Sequence, residues 1–524
     1  MNTIAAVDWI VLATFFVGMI VIGAFYARRQ NTGGAFFGGD RSTPWWLSGV
    51  SYYMNSFSAL AFVMYSAIAY KYGWVAATIS WGSVVSSLVV MVVLAKKWRR
   101  VGAASPLDYL CERFGTRTNQ AVTWLGVPMQ VLDGAFKLLA IGTVAGLVMK
   151  TALPDAGADM IFSASIAVSG AVIVAYTFLG GFRAALVCDF IQFFVILAIV
   201  LALPFFCLKQ LAAVDGGAGI SHGLSVLVER APKGFFHPFA GTYDFCYLVF
   251  ATLLGILSTG TSWSLIRRYS SLRSEKEVKK TGLLVAVLDL LSPPIFYFPA
   301  FAARVFMPDL DLNNSDEMNG VYAQVCLTVL PTGMVGLMLA AMFAATMSTL
   351  AGSYNAIANV LTTDVYQRLV NRAASARRLV TVGRILTLAL GVLVIGLTLG
   401  LRFIQGAGDL MDLSNRVFAL LLPPMSLTMV LGVLNRRMTK RSGMSALLSG
   451  IVVGLGVFVL SFCVGPMASW RETVPMTAIT TAATLLGAIV GSFCFKDSAE
   501  ERASVLAFFS RMKNPDDERK GAQA

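Results

Sequence analysis

Charged residues are scarce in this chain of 524 residues: Asp, Glu, Lys and Arg together make up 13%, while hydrophobic residues make up 57%. Globular soluble proteins carry a charged fraction of about 25%. The composition therefore excludes most soluble classes and predicts an all-α polytopic membrane protein.

Histidine is scarcer still, and the chain contains only His222 and His237, both in one polar stretch. This excludes a histidine proton relay inside a membrane, a His-based metal cluster and the His-Glu-x-x-His motif of many metalloenzymes. The seven cysteines are scattered without Cys-x-x-Cys spacing, which indicates neither a disulfide framework nor a metal site. We therefore expect neither an enzyme nor a bound cofactor.

Thirteen apolar stretches are long enough to cross a bilayer. They lie near residues 7–27, 47–69, 74–95, 120–149, 160–179, 184–208, 243–266, 281–305, 333–358, 380–401, 412–434, 444–466 and 475–495. The first has no small-residue cleavage site, so we interpret it as a retained helix. We expect one transmembrane domain over 1–524, with a core at about 45–440 and a polar cytoplasmic tail at about 497–524.

The net charge of +13 would suggest nucleic acid in a soluble protein. Here the basic residues instead cluster after alternate apolar stretches, which is typical of cytoplasmic loops, so no nucleic-acid partner is expected. The clusters are Arg28, Arg29 and Arg41; Lys96, Lys97, Arg99 and Arg100; Arg267, Arg268, Arg273, Lys276, Lys279 and Lys280; Arg368, Arg372, Arg377 and Arg378; and Arg436, Arg437, Lys440 and Arg441. The alternation predicts a multi-pass protein of the plasma (inner) membrane, with its N-terminus outside and its C-terminus in the cytoplasm.

One apolar stretch carries oxygen atoms on a single helical face. Ala345, Ser348 and Thr349 fall at i, i+3 and i+4, so one carbonyl and two hydroxyls share that face. Such oxygens can coordinate a small hard cation. The alternative is that the hydroxyls bond their own i−4 carbonyls or allow close helix packing.

The second apolar stretch is interrupted by polar residues, which suggests a broken helix. Asn55, Ser56, Ser58 and Ser66 lie among aromatic and aliphatic residues. An unwound segment inside a membrane exposes carbonyls that can bind Na⁺ where the backbone lines a cavity. Small polar residues also pack helices together, so both interpretations stay open.

Three aspartates stand out well inside apolar stretches, where a carboxylate normally has a partner or a task. Asp133 precedes Lys137 by four residues, the spacing of an ion pair within a helix. Asp189 lies near the start of a helix, where it can oppose the macrodipole. Asp289 has no charged neighbour at helical spacing, and Pro293 and Pro294 follow it, which favours a polar contact inside the bundle.

Several dispersed motifs in this order resemble the sodium:solute symporter family, which includes sodium/glucose, proline and sialic acid transporters. The resemblance covers nearly the whole chain and is nearest in pattern to the sialic acid/monocarboxylate-like branch. The motifs are Gly39-Asp40-Arg41 before Trp45-Trp46; Ser105-Pro106-Leu107-Asp108-Tyr109-Leu110; Gly180-Gly181-Phe182-Arg183-Ala184-Ala185 with Asp189 and Gln192; Arg267-Arg268; Ser348 to Asn355; and Thr363-Asp364-Val365-Tyr366.

The resemblance implies a LeuT-like fold, in which spans two to six and seven to eleven form inverted repeats around a midplane site. It also implies a sodium site made of carbonyls from a broken helix and oxygens from the helix described above. The implied ligands are the carbonyls of Met54, Phe57 and Ala345 and the hydroxyls of Ser348 and Thr349. Na⁺ is thus the expected coupling ion and metal.

A second sodium site, present in some similar proteins, uses an aspartate and two further hydroxyls. Asp189 matches the aspartate and is a candidate for a second ion or a proton. The two hydroxyl positions are Ala351 and Gly352 here. We therefore expect one coupled Na⁺ per cycle.

The specificity positions differ from each branch, since Ser56, Ala61, Asp289 and Ala135 stand where other members carry their substrate contacts. We expect import of a small polar organic solute and leave its identity open. The alternatives are a proton-coupled transporter of the same fold, using Asp189 or Asp289, and a membrane-embedded solute sensor. The candidate solute contacts are Ser56, Phe62, Asp133, Lys137, Trp263 and Asp289.

Overall fold

A computed structural model describes residues 4–27, 41–57, 61–102, 105–152, 155–401 and 407–513. Arg28, Arg29, Gly39, Asp40 and Ser58, named above, lie outside these ranges, as does the end of the polar tail. Within them, helices are the regular secondary structure, accompanied by two isolated β-bridges.

The α-helices are numbered here in chain order. They are α1 Ala6–Ala27, α2 Trp45–Ser56, α3 Ser66–Tyr72, α4 Val75–Ser80, α5 Gly82–Val89, α6 Lys96–Val101, α7 Asp108–Phe114, α8 Thr116–Ala152, α9 Ala158–Val214, α10 Ile220–Arg230, α11 Phe245–Thr261, α12 Trp263–Ser270, α13 Glu275–Phe306, α14 Ser315–Val329, α15 Met334–Val360, α16 Ala376–Leu401, α17 Ala407–Leu434, α18 Lys440–Cys463, α19 Thr473–Cys494 and α20 Ala499–Lys513. Helices of the π type cover Ala61–Tyr65, Val90–Ala95 and Leu361–Val370, and a 3₁₀-helix covers Gly465–Arg471.

Eleven described helices are long and apolar enough to cross a membrane, and the bent pair α11 and α12 makes twelve if it counts as one span. The remaining expected span corresponds to α2, the π-helix Ala61–Tyr65 and α3, with residues 58–60 outside the description. The all-helical membrane architecture is thus observed, and the count of thirteen stays a prediction.

Gly181 separates two spans within α9. Its φ of 56° and ψ of −171° lie outside the helical region, and Asp159–Phe178 and Gly181–Val214 are separate membrane spans. A residue with a Cβ would be strained at this positive φ, which explains why glycine stands at the bend.

Helix α15 forms the centre of the bundle. It packs against α1, α2, α8, α9 and α16, and 89% of the residues in its most apolar stretch are buried inside the protein. A helix that is apolar all round is suited to such a position. By contrast, only 28% and 39% of the residues in the corresponding stretches of α18 and α19 are buried, as expected for helices that face lipid. The oxygen-bearing face of α15 is therefore deep in the protein and next to α2.

Candidate ion and solute sites

Helix α2 is broken where the sequence predicted it. It ends at Ser56, and Phe57 adopts extended backbone angles, with φ of −112° and ψ of 128°. Helical structure resumes as the π-helix Ala61–Tyr65. A second break separates α11 from α12 at Ser262, where the chain bends by 56°. The first helix of each expected repeat is thus interrupted, as in transporters with discontinuous helices.

The hydroxyl of Thr349 joins α15 to the break in α2. Its Oγ1 lies 2.7 Å from the carbonyl oxygen of Phe57 and 2.9 Å from that of Ala345. The carbonyl of Met54 lies one turn back and accepts the Phe57 N–H at 3.4 Å. A hydroxyl and carbonyls from two helices therefore converge here, and such oxygens suit a hard cation.

Asn55 holds the same two helices together on the neighbouring side. Its Nδ2 donates to the carbonyl of Ser348 at 2.9 Å and lies 3.4 Å from the Ser348 hydroxyl. Asn55 is not among the site residues that the sequence predicts. The available signal was a buried amide at the last turn of a broken helix, where free carbonyls need donors.

Gly352 lies directly against Asn55. A Cβ added at this position would be 2.2 Å from Asn55 Oδ1, which is too close for a carbon atom. Serine at residue 352 would therefore require the Asn55 side chain to move. Gly352 stands where the resemblance implies a hydroxyl of a second sodium site, and the absence of a side chain there admits the Asn55 contact.

Asp189 forms a buried ion pair with Arg268. The Arg268 Nη2 lies 3.2 Å from Asp189 Oδ2, and both side chains are almost fully buried. Ser51 donates to the same carboxylate oxygen and accepts from Arg268 Nε at 2.9 Å. A guanidinium thus provides the positive charge beside Asp189, and the sequence did not indicate this pairing.

Four candidate solute contacts line one cavity of about 220 Å³, which we name the Lys137 cavity. Asp133 and Lys137 form the expected ion pair there, with 26% and 15% of their side chains exposed. Ser56 and Trp263 complete the four. Thr349 also lines this cavity, so the ion and solute candidates are adjacent. Further polar residues of the wall include Asn55, Gln130, Ser258, Thr259, Ser262, Ser353 and Ser426.

Asp289 lines a second cavity of about 240 Å³, which we name the Asp289 cavity. Ser87 donates to Asp289 Oδ2 at 2.7 Å. Ser56 and Thr259 line both cavities, so the two lie on either side of the same residues. The sequence-predicted solute contacts are therefore divided between two neighbouring cavities.

Phe62 lines neither of these two cavities. Its ring packs against Phe57, Phe296 and Tyr322, with centroid distances of 5.6, 4.4 and 5.1 Å, and the residue is fully buried. The structure thus places Phe62 in an aromatic cluster behind the Asp289 cavity.

Known proteins share both the sequence pattern and the fold. The sodium/glucose cotransporter 2 of Rattus norvegicus is 25% identical over 521 residues, covering 93% of this chain and 76% of that protein. The sodium/sialic acid symporter NanT of Aliivibrio fischeri is 25% identical over 480 residues, covering 87% of this chain and 88% of that protein.

Solved structures show the same architecture. A Na⁺-coupled sialic acid symporter, in a substrate-bound outward-open state, superposes with a TM-score of 0.78 at 19% identity, covering 94% of this chain and 98% of that one. The nucleobase-cation-symport-1 transporter Mhp1 superposes with a TM-score of 0.55 at 14% identity, covering 90% and 97%. The expected LeuT-like fold is confirmed.

The model of the Sodium:solute symporter family matches residues 36–450, which is most of the chain. This match spans both broken helices, α15 and both cavities. The chain therefore belongs to the sodium:solute symporter family and is a transporter rather than an enzyme.

Proposed function

We propose that this protein imports a small polar organic solute with one Na⁺ per cycle by alternating access. The observation that carries the proposal is the position of the Thr349 hydroxyl between the carbonyls of Phe57 and Ala345. Na⁺ bound there would take oxygens from α2 and α15 together. The proposed ligands are Met54, Phe57, Ala345, Ser348 and Thr349.

Coupling follows from this shared coordination. Na⁺ that ties α2 to α15 favours the conformation in which the two helices meet, and a solute that contacts the same break favours it too. Each ligand then raises the affinity for the other, because coupling between sites is reciprocal. The Na⁺ gradient drives uptake when both leave together on the other side.

A single Na⁺ is supported by two features near Asp189. Arg268 already places a positive charge 3.2 Å from that carboxylate. Ala351 and Gly352 offer no side-chain oxygen, and Asn55 lies against Gly352. A second Na⁺ beside Asp189 would be repelled by the Arg268 charge at short range. The same positive charge favours the ionised form of Asp189, which disfavours this residue as a proton carrier.

The solute is proposed to bind beside Ser56, which lines both cavities, so that it occupies part of each. Ser56, Asp133, Lys137 and Trp263 form its wall on one side. The relatives do not identify the solute, because a glucose and a sialic acid transporter are equally identical to this chain, at 25%.

We propose a plasma-membrane location and a chain that forms one domain, with the N-terminus outside and the tail inside.

The test is solute uptake into proteoliposomes, with sugars, amino acids, sialic acids, amines and monocarboxylates each driven by a Na⁺ or an H⁺ gradient. We expect uptake of one class only with Na⁺, and a reversal potential that fits one Na⁺ per solute. Uptake that follows the pH gradient without Na⁺ would establish the proton-coupled alternative. A reversal potential for two Na⁺ would overturn the single-site proposal.

A further inference from the structure

Asp289 differs from Asp133 and Asp189 in having no cationic partner among the described residues. Asp189 pairs with Arg268 and Asp133 pairs with Lys137, whereas Asp289 accepts a hydrogen bond from the Ser87 hydroxyl. Only 7% of Asp289 is exposed. Because a buried carboxylate is costly without a counter-charge, a cationic group of a ligand would stabilise the ionised form of Asp289.

The wall of the Asp289 cavity contains no Lys, Arg or His among the residues that the structure describes there. Asp289 is thus its one formally charged group. The remaining polar groups are hydroxyls of serine, threonine and tyrosine, which can accept hydrogen bonds from an N–H donor. An anionic solute group would meet a carboxylate here without any compensating charge.

Five aromatic residues surround the same cavity: Tyr53, Phe57, Tyr65, Phe296 and Tyr297. The rings of Tyr65 and Tyr297 lie almost parallel, with centroids 5.9 Å apart and an angle of 14°. The Tyr297 hydroxyl lies 2.9 Å from Ser80 Oγ, which holds this ring in place. Aromatic faces attract organic cations, and several rings around one space form a cage for ammonium groups.

We infer that the Asp289 cavity binds an ammonium group of the transported solute, so that the solute is an organic cation or a zwitterion. This inference rests on the proposed function, since it assigns one chemical group of the solute to one of the two cavities. Asp289 supplies the opposite charge and the rings cover the apolar part of the ammonium group. The rest of the solute extends past Ser56 and Thr259 into the Lys137 cavity.

The test is thermal unfolding of the purified protein in nanodiscs, titrated with choline, tetramethylammonium or 3,3-dimethylbutan-1-ol. The last compound has the shape of choline but no charge. A ligand that binds only the folded protein raises Tm with its concentration. KCl keeps the ionic strength constant, and each titration is done with and without Na⁺.

We expect choline or tetramethylammonium to raise the Tm of the wild type, and the neutral alcohol to leave it unchanged. Asp289→Asn removes the charge at nearly constant volume, and we expect it to raise the apparent Kd of the ammonium probe by at least about tenfold, or 1.4 kcal/mol. Asp309→Asn, at an exposed aspartate beyond the end of α13, is the control, where we expect a change of less than about threefold because Asp309 lines neither cavity. Asp289→Glu keeps the charge and retains part of the response.

Three results would overturn the inference: an equal response to the neutral alcohol, an unchanged response in Asp289→Asn, or no response of the wild type to either ammonium probe at millimolar concentrations. The Na⁺-dependent rise in Tm is the independent readout in each scan. If wild type and Asp289→Asn both keep it, the variant is folded and the sodium proposal stands whatever the probes show. If the wild type lacks it, the proposed Na⁺ coupling fails instead.

Discussion

The proposed ion side and the proposed solute side of the break in α2 are built from different groups. Toward α15, the Thr349 hydroxyl lies 2.7 Å from the Phe57 carbonyl of the break and 2.9 Å from the Ala345 carbonyl of its own helix. Toward the cavities, the walls carry charged and aromatic side chains such as Lys137, Asp289 and Tyr297. An ion site made mainly of backbone depends on the helix break and on two hydroxyl residues. Side-chain walls can change one residue at a time, so solute choice can vary while ion coupling is kept.

The two sides also treat buried charge differently. Beside the proposed ion ligands, Asp189 is neutralised by Arg268 inside the protein. In the solute region, Asp289 has only the Ser87 hydroxyl among described residues. Internal neutralisation makes a site rigid and closed to further cations, whereas an unneutralised carboxylate keeps its affinity for a cation from outside.

The largest effect is expected on the ion side, from Arg268→Met. This change leaves Asp189 buried without its counter-charge, which costs about 3–5 kcal/mol in comparable cases. We expect a strong loss of folded protein, measured as Tm and as the monodisperse fraction in detergent. Arg372→Met, at an exposed arginine, is the control. The double change Arg268→Met with Asp189→Asn should recover much of the Tm, and a wild-type Tm for Arg268→Met alone would contradict the neutralisation argument.

Thr349→Val tests the ion ligands without changing side-chain volume. It removes the hydroxyl that joins Phe57 to Ala345, so we expect the Na⁺ concentration for half-maximal uptake to rise about tenfold or more, which corresponds to 1.4 kcal/mol. The matched control is Thr387→Val, a buried threonine on α16 whose hydroxyl bonds its own i−4 carbonyl at 2.9 Å. Equal Na⁺ dependence in the two variants would mean that Thr349 has only the packing role.

Gly352→Ser adds a hydroxyl where the resemblance implies a ligand of a second sodium site. Because its Cβ would lie 2.2 Å from Asn55 Oδ1, we expect the side chain of Asn55 to be displaced and Na⁺ affinity to fall about threefold to tenfold. The reversal potential should still indicate one Na⁺. Gly396→Ser, where a Cβ meets nothing within 4 Å, is the control. A second coupled Na⁺ in Gly352→Ser would mean that the Asp189 carboxylate, although paired with Arg268, still accepts a further cation, and the contrast with Asp289 would fail.

Lys137→Met tests whether the Asp133 ion pair binds solute or only stabilises α8. Both side chains are partly exposed, so we expect a modest effect on stability and a KM for solute raised about fivefold, with Na⁺ affinity unchanged. The double variant with Asp133→Asn removes both charges. If the double variant regains the wild-type KM, the pair is structural and the Lys137 cavity loses its charged contact.

The sequence predicted those features that depend on local spacing. The break in α2 follows from polar residues in an apolar stretch, and the Asp133 and Lys137 pair follows from the i, i+4 spacing. The pairing of Asp189 with Arg268 joins residues 79 positions apart and depends on how α9 and α12 pack, which spacing does not encode. Asn55 was missed for the same reason, since its partner Ser348 is 293 positions away. The helix break and the i, i+4 ion pair were therefore more accessible to prediction than the long-range contacts around them.

Aromatic residues near the break show the remaining limit of sequence reasoning, and Phe62 tests it with the smallest expected effect. A ring beside a broken helix can cover solute or fill the core, and periodicity does not separate these cases. Because Phe62 packs on Phe296 at 4.4 Å and lines neither cavity, we expect Phe62→Leu to lower stability by about 1 kcal/mol and to change the KM less than about twofold. Tyr297→Leu, in the wall of the Asp289 cavity, should act mainly on the KM for solute and only slightly on Tm. A Phe62→Leu variant with the wild-type Tm and a KM raised tenfold would mean that Phe62 contacts the solute rather than only filling the core.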